Sequence, residues 1–173
     1  MNEMITFFKR YPQFVKQAES LQDASFYNEE SFAFVVALKF LLHPQMIVIV
    51  KENLLAAQQL YPLLKEDCQL YAVDEVTKFT SLATSPEMEA TRLYILAQSC
   101  QNKPMVVITH TMALQRLTPK KSLFLQQILH FKVGDKQSKK NIMQQLVKLG
   151  YQSVLQVTQS FEFSSRGGVI DIF

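Results

Sequence analysis

Ser99, Cys100 and His110 come nearest to a nucleophile with a base in this chain. Such catalysis needs the attacking group within hydrogen-bond reach of a base that a third group orients. No motif around these three fixes that relation, and His110, following the run MVVIT, fits better as the cap of the next helix. His43 and His130 stand alone, without a second ligand at helical spacing, so a metal site is not expected. Cys68 and Cys100 lack both the close spacing of a zinc site and the density of a disulfide framework, and reduced, partly buried thiols are expected. A phosphate loop is the other chemistry to look for, since phosphates are held by glycine-rich turns at helix starts. The chain has only 4 glycines, the first at Gly134, so LQDASFYNEESF, ahead of a helix at Glu29, offers neither such glycines nor a phosphate-binding lysine. Catalytic, cofactor and metal sites are therefore all expected to be absent. A small α/β enzyme using Cys100 or His110 remains the rival reading.

The elements that would position a site follow a clear order. Phe7, Tyr11, Phe14 and Val15 lie near one apolar stripe, and Pro12 divides a short first helix from a second. After the polar stretch from Gln22, Asn28 can cap a helix from Glu29 to His43 with Phe32, Val35, Val36, Leu38 and Leu42 at helical spacing; Glu29 and Glu30 suit its first turn. Three apolar runs of strand length, 46–50, 69–73 and 105–109, alternate with helical patterns over 52–65 and 86–100. Continuous apolar runs suit strands buried on both faces, and their alternation with helices predicts a Rossmann-like α/β domain with a parallel sheet, without a working phosphate loop.

Beyond Leu117 the character changes. Leu123 to Val133 reads as extended, Gly134 and Asp135 as a turn, Ser138 as the cap of a helix over 139–149, and Gly150 as its left-handed end. Residues 151–173 alternate like strands, with Gly167 and Gly168 marking a bulge or tight turn. A boundary near Pro119 thus separates the α/β domain, 1–117, from part of a small α+β domain, 118–173.

The 173 residues are 48% hydrophobic and 19% charged, a globular composition. No run approaches the roughly 20 apolar residues that cross a bilayer, and no signal peptide opens the chain, so a cytoplasmic monomer without membrane contact is expected. The net charge of +3 is uneven: Lys103, Arg116, Lys120, Lys121, Lys132, Lys136, Lys139 and Lys140 face only Asp135 between Gln101 and Lys140. That stretch could meet nucleic acid, but no aromatic residues interleave as base-stacking would need, and a solvated basic face is the simpler reading.

In FEFSSRGGVIDIF the adjacent glycines let a strand bend and project Arg166, whose planar fork suits carboxylates while its stem packs on apolar surface. On local sequence alone this is a plain turn with a solvated arginine. The run KLGYQSVLQVTQSFEFSSRGGVIDIF, 148–173, closely resembles the stretch shared by bacterial transcription-repair coupling factors and the excision-repair protein UvrB. In it a Gly-Tyr helix end leads through a strand to Gly-Glu-Phe, then Arg-Gly-Gly or Arg-Gly-Asp and Ile-Asp-Ile-Phe. The helix with Arg92 and Leu96 and the run MVVITHTMALQRLTP agree with the coupling-factor order. A UvrB fragment would keep its phosphate loop, so the resemblance favours the coupling factor. It implies a docking module that recruits UvrA. RNA polymerase, DNA and ATP would be handled by parts of a longer protein outside this chain. It also implies a UvrA-contacting surface built on Arg166, with Gly167, Gly168 and Phe163 around it, and two further contact residues on a strand after Phe173. Phe161 stands where the family's element has glycine.

A chain without these loop features should not bind ATP. Titration with a fluorescent ATP analogue and magnesium should show no saturation, and saturable micromolar binding would contradict the reading.

Overall fold

The computed structural model describes residues 10–19, 26, 28–64, 68–73 and 85–173. Helix α1 (Pro12–Glu19) and helix α2 (Glu29–Leu42) precede strand β1 (Met46–Lys51). Helix α3 (Leu54–Leu64), strand β2 (Cys68–Tyr71), helix α4 (Pro86–Cys100) and strand β3 (Met105–His110) complete the first part. The expected helix ahead of Pro12, with Phe7, lies outside the described residues, as does most of the segment before Asn28.

The three strands are parallel and β3 lies between the other two, with Met46 opposite Met105 and Cys68 opposite Val106. A Rossmann half-sheet puts the second strand in the middle, and the described strands do not follow that order. Alternation along β3 divides the core. Val106 and Ile108 pack with Val36 and Leu38 of α2 and Leu60 and Leu64 of α3, while Met105 and Val107 pack with Ile95 of α4. Helices thus cover both faces of β3, and all six of its residues are buried. β1 corrects the expectation of two buried faces: Val48 and Val50 are about half exposed. An apolar run cannot show that its strand ends up at an edge. Asn28 caps α2 with a full capping box, its Oδ1 accepting from the Ser31 amide at 2.9 Å and its own amide donating to the Ser31 hydroxyl at 3.3 Å.

After the short helix α5 (Thr111–Leu114), residues 121–126 form helix α6 (Lys121–Gln126). This corrects the extended reading of Leu123 to Val133. A run of apolar residues without strict alternation carries no strand period, and the Phe124 amide closes a helical turn on the Lys120 carbonyl. Helix α7 (Lys139–Lys148) starts at Ser138, whose side chain makes no capping bond, contrary to expectation. Its other end is a Schellman motif: the Tyr151 amide donates to Leu146, the Gly150 amide to Val147, and Gly150 has φ +93°.

Strands β4 (Gln152–Ser153), β5 (Glu162–Arg166) and β6 (Val169–Ile172) make a second sheet with β5 in the middle, parallel to β4 and antiparallel to β6. Phe161, immediately before β5, has φ +67°. A side chain there costs about 1–2 kcal/mol, which explains why glycine suits the position. The turn is kept nonetheless by the Phe161 amide on the Phe173 carbonyl (2.9 Å) and the Gln152 amide on the Phe161 carbonyl (2.8 Å). The Phe161 ring also meets Tyr151 edge-on at 5.6 Å.

Phe161→Gly and Phe161→Ala both lose that ring, but only alanine keeps a Cβ in the left-handed region. The glycine variant should therefore be the more stable of the two by about 1 kcal/mol in denaturant unfolding, reversing the usual order of these residues. Alanine equal or superior would show that residue 161 is not left-handed.

Candidate functional site

The hairpin between β5 and β6 is closed by two residues, Gly167 and Gly168, with Arg166 paired to Val169. Gly167 takes φ +54°, as in a II′ turn, where glycine leads. The expectation of a bulge or tight turn resolves to a tight turn. The Lys139 ammonium at the start of α7 donates to the Gly167 carbonyl, tying the loop to the helix.

Side chains alternate across β5, so Glu162, Ser164 and Arg166 share one face. All three reach the segment that joins β4 to β5. The Glu162 carboxylate, almost fully buried, accepts through one oxygen from the Thr158 amide (2.8 Å), the Gln159 amide (3.1 Å) and the Thr158 hydroxyl (3.1 Å). The Ser164 hydroxyl donates to the Leu155 carbonyl at 2.9 Å, and Arg166 Nη2 donates to the same oxygen at 2.8 Å. Arg166 is exposed, and among the described residues no carboxylate lies within salt-bridge distance of it. Its guanidinium is thus placed by a neutral carbonyl and keeps donors for a partner.

The Thr158 amide, aided by the Gln159 amide and both residues' other contacts, holds the Glu162 carboxyl below its ordinary 4.5, against the opposite push of burial. Phe163 corrects the sequence reading. At 1% exposure it lies in the interior, on the other face of β5, and can only support a contact surface. The sequence reading does not assign Leu155, Glu162 or Ser164 to the site, and it places Lys139 only in the basic stretch and at a helix start. Glu162 carried a signal as the acid of the Gly-Glu-Phe element, whereas the others act through backbone carbonyls that sequence does not mark.

The remaining candidates stay apart. His110 is fully buried and its Nε2 accepts from the Val73 amide at 3.3 Å, so its side chain does not cap the next helix as expected. Cys100 ends α4 before β3 begins, and His110 ends β3, so about 16 Å of strand separates the two ends. Cys68 is buried and Cys100 partly so, and neither is disulfide-bonded. At the start of α2, Glu29 pairs with Lys51 at 2.5 Å, and Phe26, Asn28, Phe32 and Lys51 border the depression there. Among the described residues no group of His, Cys, Asp or Glu is placed to hold a metal, and no helix is long and apolar enough to cross a membrane.

Residues 129–173, which include α7 and the whole second sheet, match the family described as UvrB interaction domain. The chain is similar to transcription-repair-coupling factors. That of Bacillus subtilis (strain 168) is 29% identical over 132 residues, 73% of this chain and 11% of the relative. Those of Staphylococcus aureus strains RF122 / ET3-1 and MRSA252 are 25% and 26% identical over 144 residues, 80% of this chain and 12% of each relative. The chain therefore spans about a ninth to an eighth of their length.

A carboxyl lowered by folding contributes stability that is complete above its unfolded value and is lost as pH falls through the folded one. The stability gap between the parent chain and Glu162→Gln should therefore be largest near neutrality and shrink once pH drops below 4.5. Urea unfolding at a series of pH values reads it. A gap that does not change with pH would mean the carboxylate is not the anchor.

Proposed function

We propose that the chain is a docking module of a transcription-repair coupling factor that recruits the excision-repair protein UvrA to stalled RNA polymerase, with no reaction of its own. One observation carries this: Arg166 stands exposed and oriented on a two-glycine hairpin within the segment that matches the UvrB interaction domain. An arginine fixed before binding loses little freedom on docking, and its remaining N–H groups can take a carboxylate in a charge-assisted pair. The module divides near Pro119, with the parallel-sheet part at 1–117 serving as a platform and 118–173 as the docking part. The platform is a nucleotide-binding type that has lost its phosphate loop. Support comes from the start of α2, where the Asn28 side chain takes the Ser31 amide and the Glu29 carboxylate takes the Lys51 ammonium, groups that a phosphate would need. Action on RNA polymerase, DNA and ATP belongs to the longer proteins this chain resembles, and the module works as a cytoplasmic monomer.

Arg166→Ala should weaken UvrA binding by about 2 kcal/mol, roughly thirtyfold, as loss of a central arginine does. Folding should change by less than about 1 kcal/mol, because one exposed bond to Leu155 is lost. Calorimetric titration with UvrA beside thermal unfolding tests both, and unchanged binding by a stable variant would remove Arg166 from the site.

A further inference from the structure

Leu155 is 92% exposed, on a segment that side chains hold in place. A single exposed leucine is ordinary. This one differs because its carbonyl accepts from both Ser164 Oγ (2.9 Å) and Arg166 Nη2 (2.8 Å). The shared oxygen fixes the distance between an apolar side chain and a guanidinium, which a slack loop would not do. Val169, paired with Arg166 across the hairpin and 60% exposed, extends the apolar surface beside the arginine. Water gains nothing from an apolar side chain held outward in this way, and the fold buries nothing with it. A protein surface gains on both counts, since the strongest interface positions combine a desolvated arginine with apolar packing around it.

We infer that Leu155 and Arg166 form one two-part anchor, taken by a protein surface that offers an apolar socket next to a carboxylate, with Ser164 as the residue that positions Leu155. This rests on the docking reading and adds to it the chemistry that the partner must present. Duplex DNA, whose interfaces are polar and strongly cationic on the protein side, does not match an exposed leucine held beside a single arginine.

The test is a double-mutant cycle on the full chain, titrated with UvrA. Leu155→Ala should weaken binding about tenfold without moving the unfolding midpoint, and Leu155→Ala with Arg166→Ala should weaken it by less than the product of the two single effects. Ser164→Ala should weaken binding severalfold in the parent and add nothing once Leu155 is alanine, a pattern that a merely structural serine would not produce. If Arg166→Ala weakens binding while Leu155→Ala does not, the anchor is the arginine alone and this inference fails with the docking reading intact. Single effects that multiply fully would show two independent contacts, which also overturns it. A parent chain that does not bind UvrA overturns both.

Discussion

The stretch between β4 and β5 has no ladder of its own beyond its first residues, so its backbone polar groups must be met by side chains. They are met from one face of β5. Glu162 collects the amides of Thr158 and Gln159, and Ser164 and Arg166 share the Leu155 carbonyl. Each such bond adds only about 1–3 kcal/mol net, more where a charged group takes part, but together they give the segment one conformation. Everything presented beside the hairpin depends on this clamp, because without it neither Leu155 nor Arg166 would have a defined place.

The clamp is in turn held by the layers beneath it. Phe163 and Leu146 are both buried, Phe163 borders one depression with Met143 and Val147 of α7, and Lys139 ties the start of that helix to the Gly167 carbonyl. Truncating such buried side chains costs about 2–5 kcal/mol. The division of labour along β5 is plain: Phe163 faces inward and secures the strand, while Arg166 at its end is free to meet another molecule. In the first sheet β3 plays the central part, buried on both faces between β1 and β2. His110, which a catalytic reading would want accessible, is spent there on the Val73 amide.

What could be read from sequence was what acts locally. The Asn28 cap, the Gly150 helix end and the two-glycine turn each follow from a residue type in a fixed relation to its own backbone. The alternation of apolar runs and helices yielded the parallel sheet, but it could not say that β1 lies at an edge or that β3 lies in the middle, since order comes from tertiary packing. Helix α6 was missed because KSLFLQ has neither period clearly. At the site, Arg166 and its glycines were legible through the motif. Leu155 was not, because what matters there is a carbonyl that every residue has. Phe161 shows the reverse case, a residue that argued against the local turn and adopts the left-handed backbone all the same.

On the proposed docking reading, the hairpin and the loop before β5 present Leu155 and Arg166 to a protein, and the parallel-sheet part carries them. Hydrogen exchange of the chain with and without UvrA tests this most directly, because it reports each segment without altering any residue. Docking through the hairpin should slow exchange over the loop after β4 and over the β5–β6 hairpin and leave the amides of β1 to β3 unchanged. Protection confined to the basic stretch 101–140, or to the parallel sheet, would contradict it.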